Sequence, residues 1–135
     1  MKLTKHFSER ESVFSNKAIE LKIKNIPNTE QRENIFYTAN RLEAIRLFLG
    51  VALKIDSWFR SYLLNIAVGG VPTSYHAKGL AVDFVPVGMK LEEAFDLIKN
   101  SGLSFDQLIL YKKKGFIHIG FRKKYSDERN QILYK

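Results

Sequence analysis

The sequence contains no cysteine, and this absence limits the ways in which the chain could be stabilised or could bind a metal ion. Disulfide bonds and thiolate metal centres are both excluded. Any metal ion would therefore bind through histidine and carboxylate side chains, and the chain has three histidines. The candidate metal ligands are therefore the three histidines and the carboxylates near them.

Long apolar runs are also missing. No segment approaches the roughly 20 apolar residues of a membrane-spanning helix, so no membrane span is predicted. The basic segment from Met1 to His6 is not followed by the apolar core of a secretory signal. We therefore expect synthesis in the cytoplasm, and any work outside the cell would need another exit, such as host lysis or incorporation into a particle. Without repeats or low-complexity segments, residues 1–135 are predicted to form a single domain.

Acidic residues are outnumbered, with 14 aspartates and glutamates against 22 lysines and arginines and a net charge of +8. This balance favours a polyanionic partner such as nucleic acid, an acidic membrane or an anionic cell wall. Basic clusters at 112–114 and 122–124 would suit a nucleic-acid binder. Basic runs at hairpin tips are usually solvated surface, however, so nucleic acid is the least favoured of these partners.

Helix signals dominate the first half of the chain. A capping box at Ser8 predicts a short helix from about Glu9, and 18–24 could be helix or loop. The clearest helix is predicted over 29–49, with Asn28 as its cap and Gly50 as its stop. Its apolar stripe is predicted to pack in the core and comprises Ile35, Phe36, Ala39, Leu42, Ile45, Phe48 and Leu49.

Strand signals dominate the second half. The pattern predicts, in order, a strand over 51–56, a helix over 61–68, a strand over 80–85, a helix over 91–99, a hairpin of strands 105–111 and 116–121, and a last strand near Ile132. The predicted fold class is α+β, with amino-terminal helices packed on a small, mostly antiparallel sheet.

The most unusual feature is Asp83, a carboxylate inside a strand of small and apolar residues. Such a carboxylate loses its hydration and needs a cation or several donors. Gly79 would let the chain turn so that His76 becomes a co-ligand. His118, in the apolar strand 116–121, is a third candidate, since two imidazoles and one carboxylate leave a position of tetrahedral zinc open for water. Taken singly, each histidine is more often a hydrogen-bonded core residue than a metal ligand, and it is the combination of the three residues that favours a metal site.

Around these residues the chain resembles the zinc D-alanyl-D-alanine carboxypeptidase family, and in particular its small single-domain branch found in bacteriophages and prophages. The order of the matching blocks is the same. The blocks are Ser57-Trp58-Phe59-Arg60-Ser61, Leu64-Asn65, Val68-Gly69-Gly70, Thr73-Ser74-Tyr75-His76, Lys78-Gly79, Ala81, Asp83, Phe105-Asp106-Gln107-Leu108-Ile109 and Phe116-Ile117-His118.

The resemblance implies that His76, Asp83 and His118 bind Zn²⁺. It also implies that Arg60 lies beside the metal to hold the substrate and stabilise a developing oxyanion, and that Ser74 contacts substrate. The substrates implied are peptides containing D-amino acids, such as the stem peptides of bacterial peptidoglycan. The excess of basic over acidic residues would favour binding to an anionic cell wall.

One departure concerns the general base that a zinc peptidase needs. The better-studied relatives have an acid three residues before the last histidine ligand, where this chain has Gly115. The phage-type branch has one soon after the Phe105–Ile109 block, where Leu110 and Tyr111 stand. Asp106 is the nearest carboxylate in sequence and is therefore the candidate base. Strand alternation does not tell which face of its strand meets the metal.

Two functions follow as hypotheses. The first is a zinc-dependent peptidase that hydrolyses D-amino-acid-containing bonds of peptidoglycan. The alternative is a catalytically impaired homologue that keeps the zinc site and serves as a structural or wall-binding component of a phage particle, in contact with other phage structural proteins.

Overall fold

The capping signals mark helix starts in the computed structural model, which describes residues 1–135. Ser8 Oγ accepts a hydrogen bond from the Glu11 amide at 3.2 Å, and the Glu11 carboxylate accepts one from the Ser8 amide. Asn28 Oδ1 accepts in the same way from the Gln31 amide at 2.8 Å. Because these caps satisfy amides that the first helical turn leaves unpaired, both helices begin at the predicted residues.

Five α-helices and two short 3-10 helices form. They are α1 (Glu9–Val13), α2 (Asn16–Leu21), α3 (Thr29–Leu49), α4 (Tyr62–Ala67), α5 (Leu91–Lys99) and the 3-10 helices Tyr75–Lys78 and Tyr125–Asp127. The ambiguous segment before the long helix is thus partly helical. Helices α3 and α5 have the predicted bounds, and α4 is one residue shorter at each end. No helix combines the length and the apolar character needed to cross a membrane.

A single five-stranded sheet completes the fold. Its strands are β1 (Leu53–Ser57), β2 (Ala81–Pro86), β3 (Gln107–Tyr111), β4 (Phe116–Gly120) and β5 (Gln131–Tyr134). The strand order is β1-β2-β4-β3-β5, and every pairing is antiparallel except that of β3 with β5. The predicted α+β class with a mostly antiparallel sheet is confirmed.

One face of this sheet is covered by α3 and α5, and the core lies between them. Its members from these elements are Ile35, Ala39, Leu42, Ile45, Leu49, Leu53, Val82, Phe84, Ala94, Phe95, Ile98, Leu108, Leu110, Ile117 and Ile119. The predicted apolar stripe of α3 is thus buried, but the prediction that Phe36 and Phe48 belong to it is wrong. Phe36 and Phe48 are 52% and 46% exposed, because the sheet contacts only one side of the helix.

The other face of the sheet carries the site residues. Asp83 on β2 pairs with His118 on β4, and His118 pairs with Ile109 on β3. Directly opposed residues point to the same face and the face alternates along a strand. Gln107 and Tyr111 therefore share the face of His118, whereas Leu108 and Leu110 belong to the core face. Alternation puts Asp106 on that core face as well.

The turn that carries His76 is docked on α3 by hydrogen bonds to its carbonyl groups. Asn34 Nδ2 donates to the Lys78 carbonyl at 3.0 Å, and Thr38 Oγ1 donates to the Gly79 carbonyl at 2.8 Å. Gly79 ends the turn with a φ of +80°, and a Cβ there would lie 2.8 Å from Ile35 Cγ1. Only glycine permits both this backbone conformation and this close approach.

We predict that Gly79→Ala lowers the free energy of unfolding by about 2 kcal/mol or more, because it combines a left-handed backbone with a collision against α3. Gly102→Ala is the matched control, since Gly102 has the same φ of +80° with nothing near its absent Cβ. It should cost only about 1 kcal/mol. Denaturant unfolding measures both values, and equal losses would contradict the argument from close packing.

Candidate metal centre

Three side chains from separate elements converge on the face of the sheet opposite the core helices. His76 comes from the 3-10 helix, Asp83 from β2 and His118 from β4, and one potential ligand atom of each lies within 4.8 Å of the others. His76 Nε2 and His118 Nδ1 lie 3.2 and 2.9 Å from the same oxygen, Asp83 Oδ1. The structure thus brings together the three residues that the sequence singled out.

The main chain fixes the orientation of the His76 ring. His76 Nδ1 lies 2.7 Å from the Trp58 carbonyl oxygen, which can only accept a hydrogen bond, so Nδ1 carries the proton. The lone pair of a neutral imidazole is then on Nε2, the atom that faces Asp83. A ligating histidine is typically held in this way by a carbonyl or carboxylate behind it. Burial lowers the pKa of His76, although Asp83 acts in the opposite direction, so the ring favours its neutral form.

Asp83 is buried, with 6% of its surface exposed. Burial alone would raise its pKa, but the neighbouring His76 and His118 outweigh that effect and hold the pKa well below its ordinary value. Arg60 adds a positive charge at 3.8 Å from Asp83 Oδ2. The carboxylate is therefore ionised at neutral pH and available as a ligand.

This donor set fits a metal ion. Two imidazole nitrogens and one carboxylate oxygen are the ligands that zinc and similar divalent ions take in proteins without thiolates. The set is incomplete by the standard of a structural zinc site, which has four protein ligands. Three convergent ligands leave room for a substrate or water, as in catalytic metal sites.

The remaining predicted site residues fall into two groups, and Arg60 and Ser74 belong to the group near the metal ligands. The Arg60 amide donates to the His76 carbonyl at 3.0 Å, and the Arg60 side chain is 18% exposed. Burial lowers the pKa of Arg60, while Asp83 and Tyr111 act in the opposite direction, and a guanidinium stays charged in either case. Ser74 Oγ caps the 3-10 helix by accepting from the His76 amide at 3.2 Å.

Asp106 is not brought to this group. Its carboxylate is fully buried and accepts hydrogen bonds from the Arg129 amide, Nε and Nη2 at 3.1, 3.1 and 2.8 Å. Arg122 Nε lies 2.9 Å from Asp106 Oδ1, although its N–H does not point at that oxygen. Burial would raise the pKa of Asp106, but the bonds from Arg129 outweigh it and lower the pKa. This carboxylate anchors the carboxy-terminal segment to the sheet.

A different carboxylate, Asp56, lies on the metal side and was not singled out in the sequence. The pairing of β1 with β2 shifts between Ile55 and Ser57, and Ser57 pairs with Asp83. Asp56 is the extra residue of this bulge, and bulges commonly re-aim a side chain. Its carboxylate forms no ion pair or side-chain hydrogen bond. Asp56 is exposed; the partial desolvation of its carboxylate and the charge of Asp83 raise its pKa, while Lys54 acts in the opposite direction.

Asp56 and Arg60 line one cleft of about 320 Å³, which none of the three metal ligands lines and which Arg60 connects to Asp83. Its other walls come from the α1–α2 connection and from α4, and its lining includes Phe14, Lys17 and Leu64. The largest concavity of the protein, about 620 Å³, lies between the amino terminus and α3 and includes none of the site residues. Volume therefore does not identify the site, whereas the convergence of ligands does.

Comparison with protein families gives one match. A family model described as Peptidase M15 matches residues 5–120, which include every residue of the metal cluster and of the adjoining cleft. Comparison with curated proteins gives no match.

We predict that His118→Ala reduces the zinc content from about one ion per chain to background, since two remaining ligands bind too weakly. His6→Ala is the control, because His6 lies outside the cluster and contacts Glu43 at 2.7 Å; it should keep its zinc. Elemental analysis after zinc loading and gel filtration measures both. Equal zinc in the two variants would show that the cluster is not the metal site.

Proposed function

The chain belongs to the peptidase M15 family, and we propose that it is a zinc-dependent peptidase acting on bacterial peptidoglycan. One observation carries the proposal. His76, Asp83 and His118 present their ligand atoms within 4.8 Å of one another, and Arg60 lies at 3.8 Å from Asp83. A three-ligand site with an adjacent guanidinium suits hydrolysis of an amide, whose carbonyl gains negative charge during the reaction.

The metal proposed is zinc, because the family consists of zinc enzymes and the donor set fits. When bound, zinc supplies a Lewis acid that polarises a scissile carbonyl and makes water nucleophilic near neutral pH. The chain itself supplies orientation. The Trp58 carbonyl holds His76 at 2.7 Å with Nε2 toward the site, and the turn docked on α3 fixes the distance between His76 and β2.

Arg60 and Ser74 are proposed to bind the substrate. The Arg60 guanidinium would hold a substrate carbonyl or carboxylate and stabilise the charge that develops during hydrolysis, a contribution of about 10²–10³ in rate for a comparable donor. Ser74 already accepts from the His76 amide. Its hydroxyl proton is free to donate to a peptide carbonyl beside the site.

We assign proton transfer to Asp56 rather than to Asp106. Asp56 shares the cleft with Arg60, has no other partner, and has a pKa raised by partial desolvation and by Asp83. A base works best when its pKa approaches the working pH. Asp106 has the opposite properties, since its carboxylate is saturated by Arg129 and its pKa is lowered.

The proposed substrate class is the stem peptide of peptidoglycan, with its D-amino acids. Family membership supports a peptide substrate, and the net charge of +8 supports an anionic wall as the surface on which the enzyme acts. The proposed site of action is the wall, reached after lysis or as part of a virion.

A second candidate is a zinc-binding homologue without peptidase activity that serves as a structural or wall-binding phage component. It is favoured by the position of Asp106 on the core face of the sheet, and by Tyr111 on the metal side, which offers a phenol where a carboxylate base would be expected.

Digestion of purified peptidoglycan separates the two candidates. We expect the zinc-loaded protein to release peptides that mass spectrometry detects, and the His118→Ala protein and a chelated sample to release none. A zinc-loaded wild-type protein that sediments with the wall but releases no product above the chelated control would favour the homologue without activity. Salt-sensitive binding to DNA without wall binding would argue against both.

We predict opposite phenotypes for Asp56→Asn and Asp106→Asn. Asp56→Asn should lower kcat by about 10²–10⁴ through loss of the proton acceptor, while zinc content and the thermal midpoint stay unchanged. Asp106→Asn should lower the thermal midpoint by several degrees and leave kcat per folded molecule near the wild-type value. Steady-state kinetics and thermal unfolding measure the pair.

The pH dependence of protein stability tests the structural role of Asp106. Because its folded pKa is depressed, its contribution to stability is present above the unfolded pKa of about 4 and is lost as the pH falls through the lower folded value. The wild-type and Asp106→Asn proteins should therefore approach equal stability in acid. A loss of kcat in Asp106→Asn at unchanged stability would return the catalytic role to Asp106.

A further inference from the structure

We propose that Asn65 is a positioning residue that holds the Arg60 guanidinium toward the metal ligands; this rests on the proposed function. Asn65 lies on α4 and is 97% buried, with 3% of its surface exposed. Its Oδ1 is 3.4 Å from Arg60 Nη1, and the other end of the same guanidinium is 3.8 Å from Asp83 Oδ2. Arg60 thus lies between a metal ligand and a buried amide.

The orientation of the Asn65 amide is fixed by a second contact. Its Nδ2 donates to the Val71 carbonyl at 2.8 Å. Because a carbonyl oxygen can only accept, the amide nitrogen must face Val71, and Oδ1 then faces Arg60. The Asn65 main-chain carbonyl also accepts from the Gly70 amide at 2.8 Å. The side chain and the main chain of Asn65 therefore both bind the loop that leads to His76.

Gly70 leaves the space that the amide occupies. A Cβ at this position would lie 2.1 Å from Asn65 Oδ1 and 3.2 Å from Arg60 Nη1. No side chain can be accommodated there without moving the amide. The close approach occurs at Gly70 and not at the adjacent Gly69, which has no atom within 4 Å of its absent Cβ.

A neutral acceptor is what this position needs chemically. An amide oxygen accepts one guanidinium N–H and leaves the positive charge of Arg60 available to the substrate. A carboxylate would form an ion pair with Arg60 that competes with substrate, and it would lose the donor to Val71. Asn65 therefore fixes the direction of the guanidinium and couples it to the segment that carries the first metal ligand, without neutralising it.

The kinetic test is a double-mutant cycle of Asn65→Ala and Arg60→Ala on zinc-loaded protein, with peptidoglycan peptide as substrate. Asn65→Ala should lower kcat/KM by about 10-fold, as loss of a supporting residue commonly does. In the Arg60→Ala background the same change should have less than about a 2-fold effect, because the two residues act as one unit. Equal effects in both backgrounds would overturn the proposal. Asn40→Ala, an exposed asparagine bonded to the Phe36 carbonyl, is the control.

A second readout does not depend on activity. In ¹⁵N NMR spectra of the zinc-loaded protein, Arg60 Nε–H and Nη–H signals should be resolved and slow to exchange in wild type and in Asn40→Ala. They should broaden or exchange fast in Asn65→Ala and shift in the nearly isosteric Asn65→Asp. Arg60 signals in Asn65→Ala that match the wild type would overturn the positioning role. Ordered wild-type signals lost in Asn65→Ala, in a protein without peptidase activity, would refute the proposed function and support the positioning role.

Discussion

The structure depends on the burial of one charge, the Asp83 carboxylate. A carboxylate in the middle of a buried strand is costly unless nearby groups compensate it. Here His118 Nδ1 lies 2.9 Å from one oxygen and Arg60 lies near the other, while the neutral His76 ring completes a ligand set whose metal ion would supply the remaining compensation. These partners come from three different segments. The need to satisfy one carboxylate therefore specifies how the 3-10 turn, β4 and the start of α4 meet on one face of the sheet.

The scaffold contributes by keeping the His76 turn rigid. The turn is not in the sheet, and Asn34 and Thr38 of α3 donate to its Lys78 and Gly79 carbonyl groups. Both polar residues are buried in the structure. Their burial is explained by the turn that they hold, and Gly79 allows the contact to be close. The long helix thus fills the core with its aliphatic side chains and positions a metal ligand with its polar ones.

Much of this arrangement could be predicted from the sequence. Capping residues predict where α1 and α3 begin because their contacts are local. An aspartate isolated among apolar residues indicates that a cation or hydrogen-bond donors nearby compensate its charge. The fate of Asp106 could not be predicted, because its face depends on which residues of β4 pair with β3. Asp56 was missed because a bulge shows only in the pairing of two strands. The exposure of Phe36 depends in the same way on the width of the sheet beneath α3.

The carboxylates also show how one fold separates stabilising from chemical roles. Asp106 accepts three hydrogen bonds from Arg129, so its charge is satisfied and its basicity is low. Asp56 has no such partner, and partial desolvation together with Asp83 makes it more basic. A proton acceptor must retain unsatisfied acceptor capacity, and a structural anchor must not. On this ground a general base is recognised better by what its carboxylate lacks than by its distance in sequence from a metal ligand.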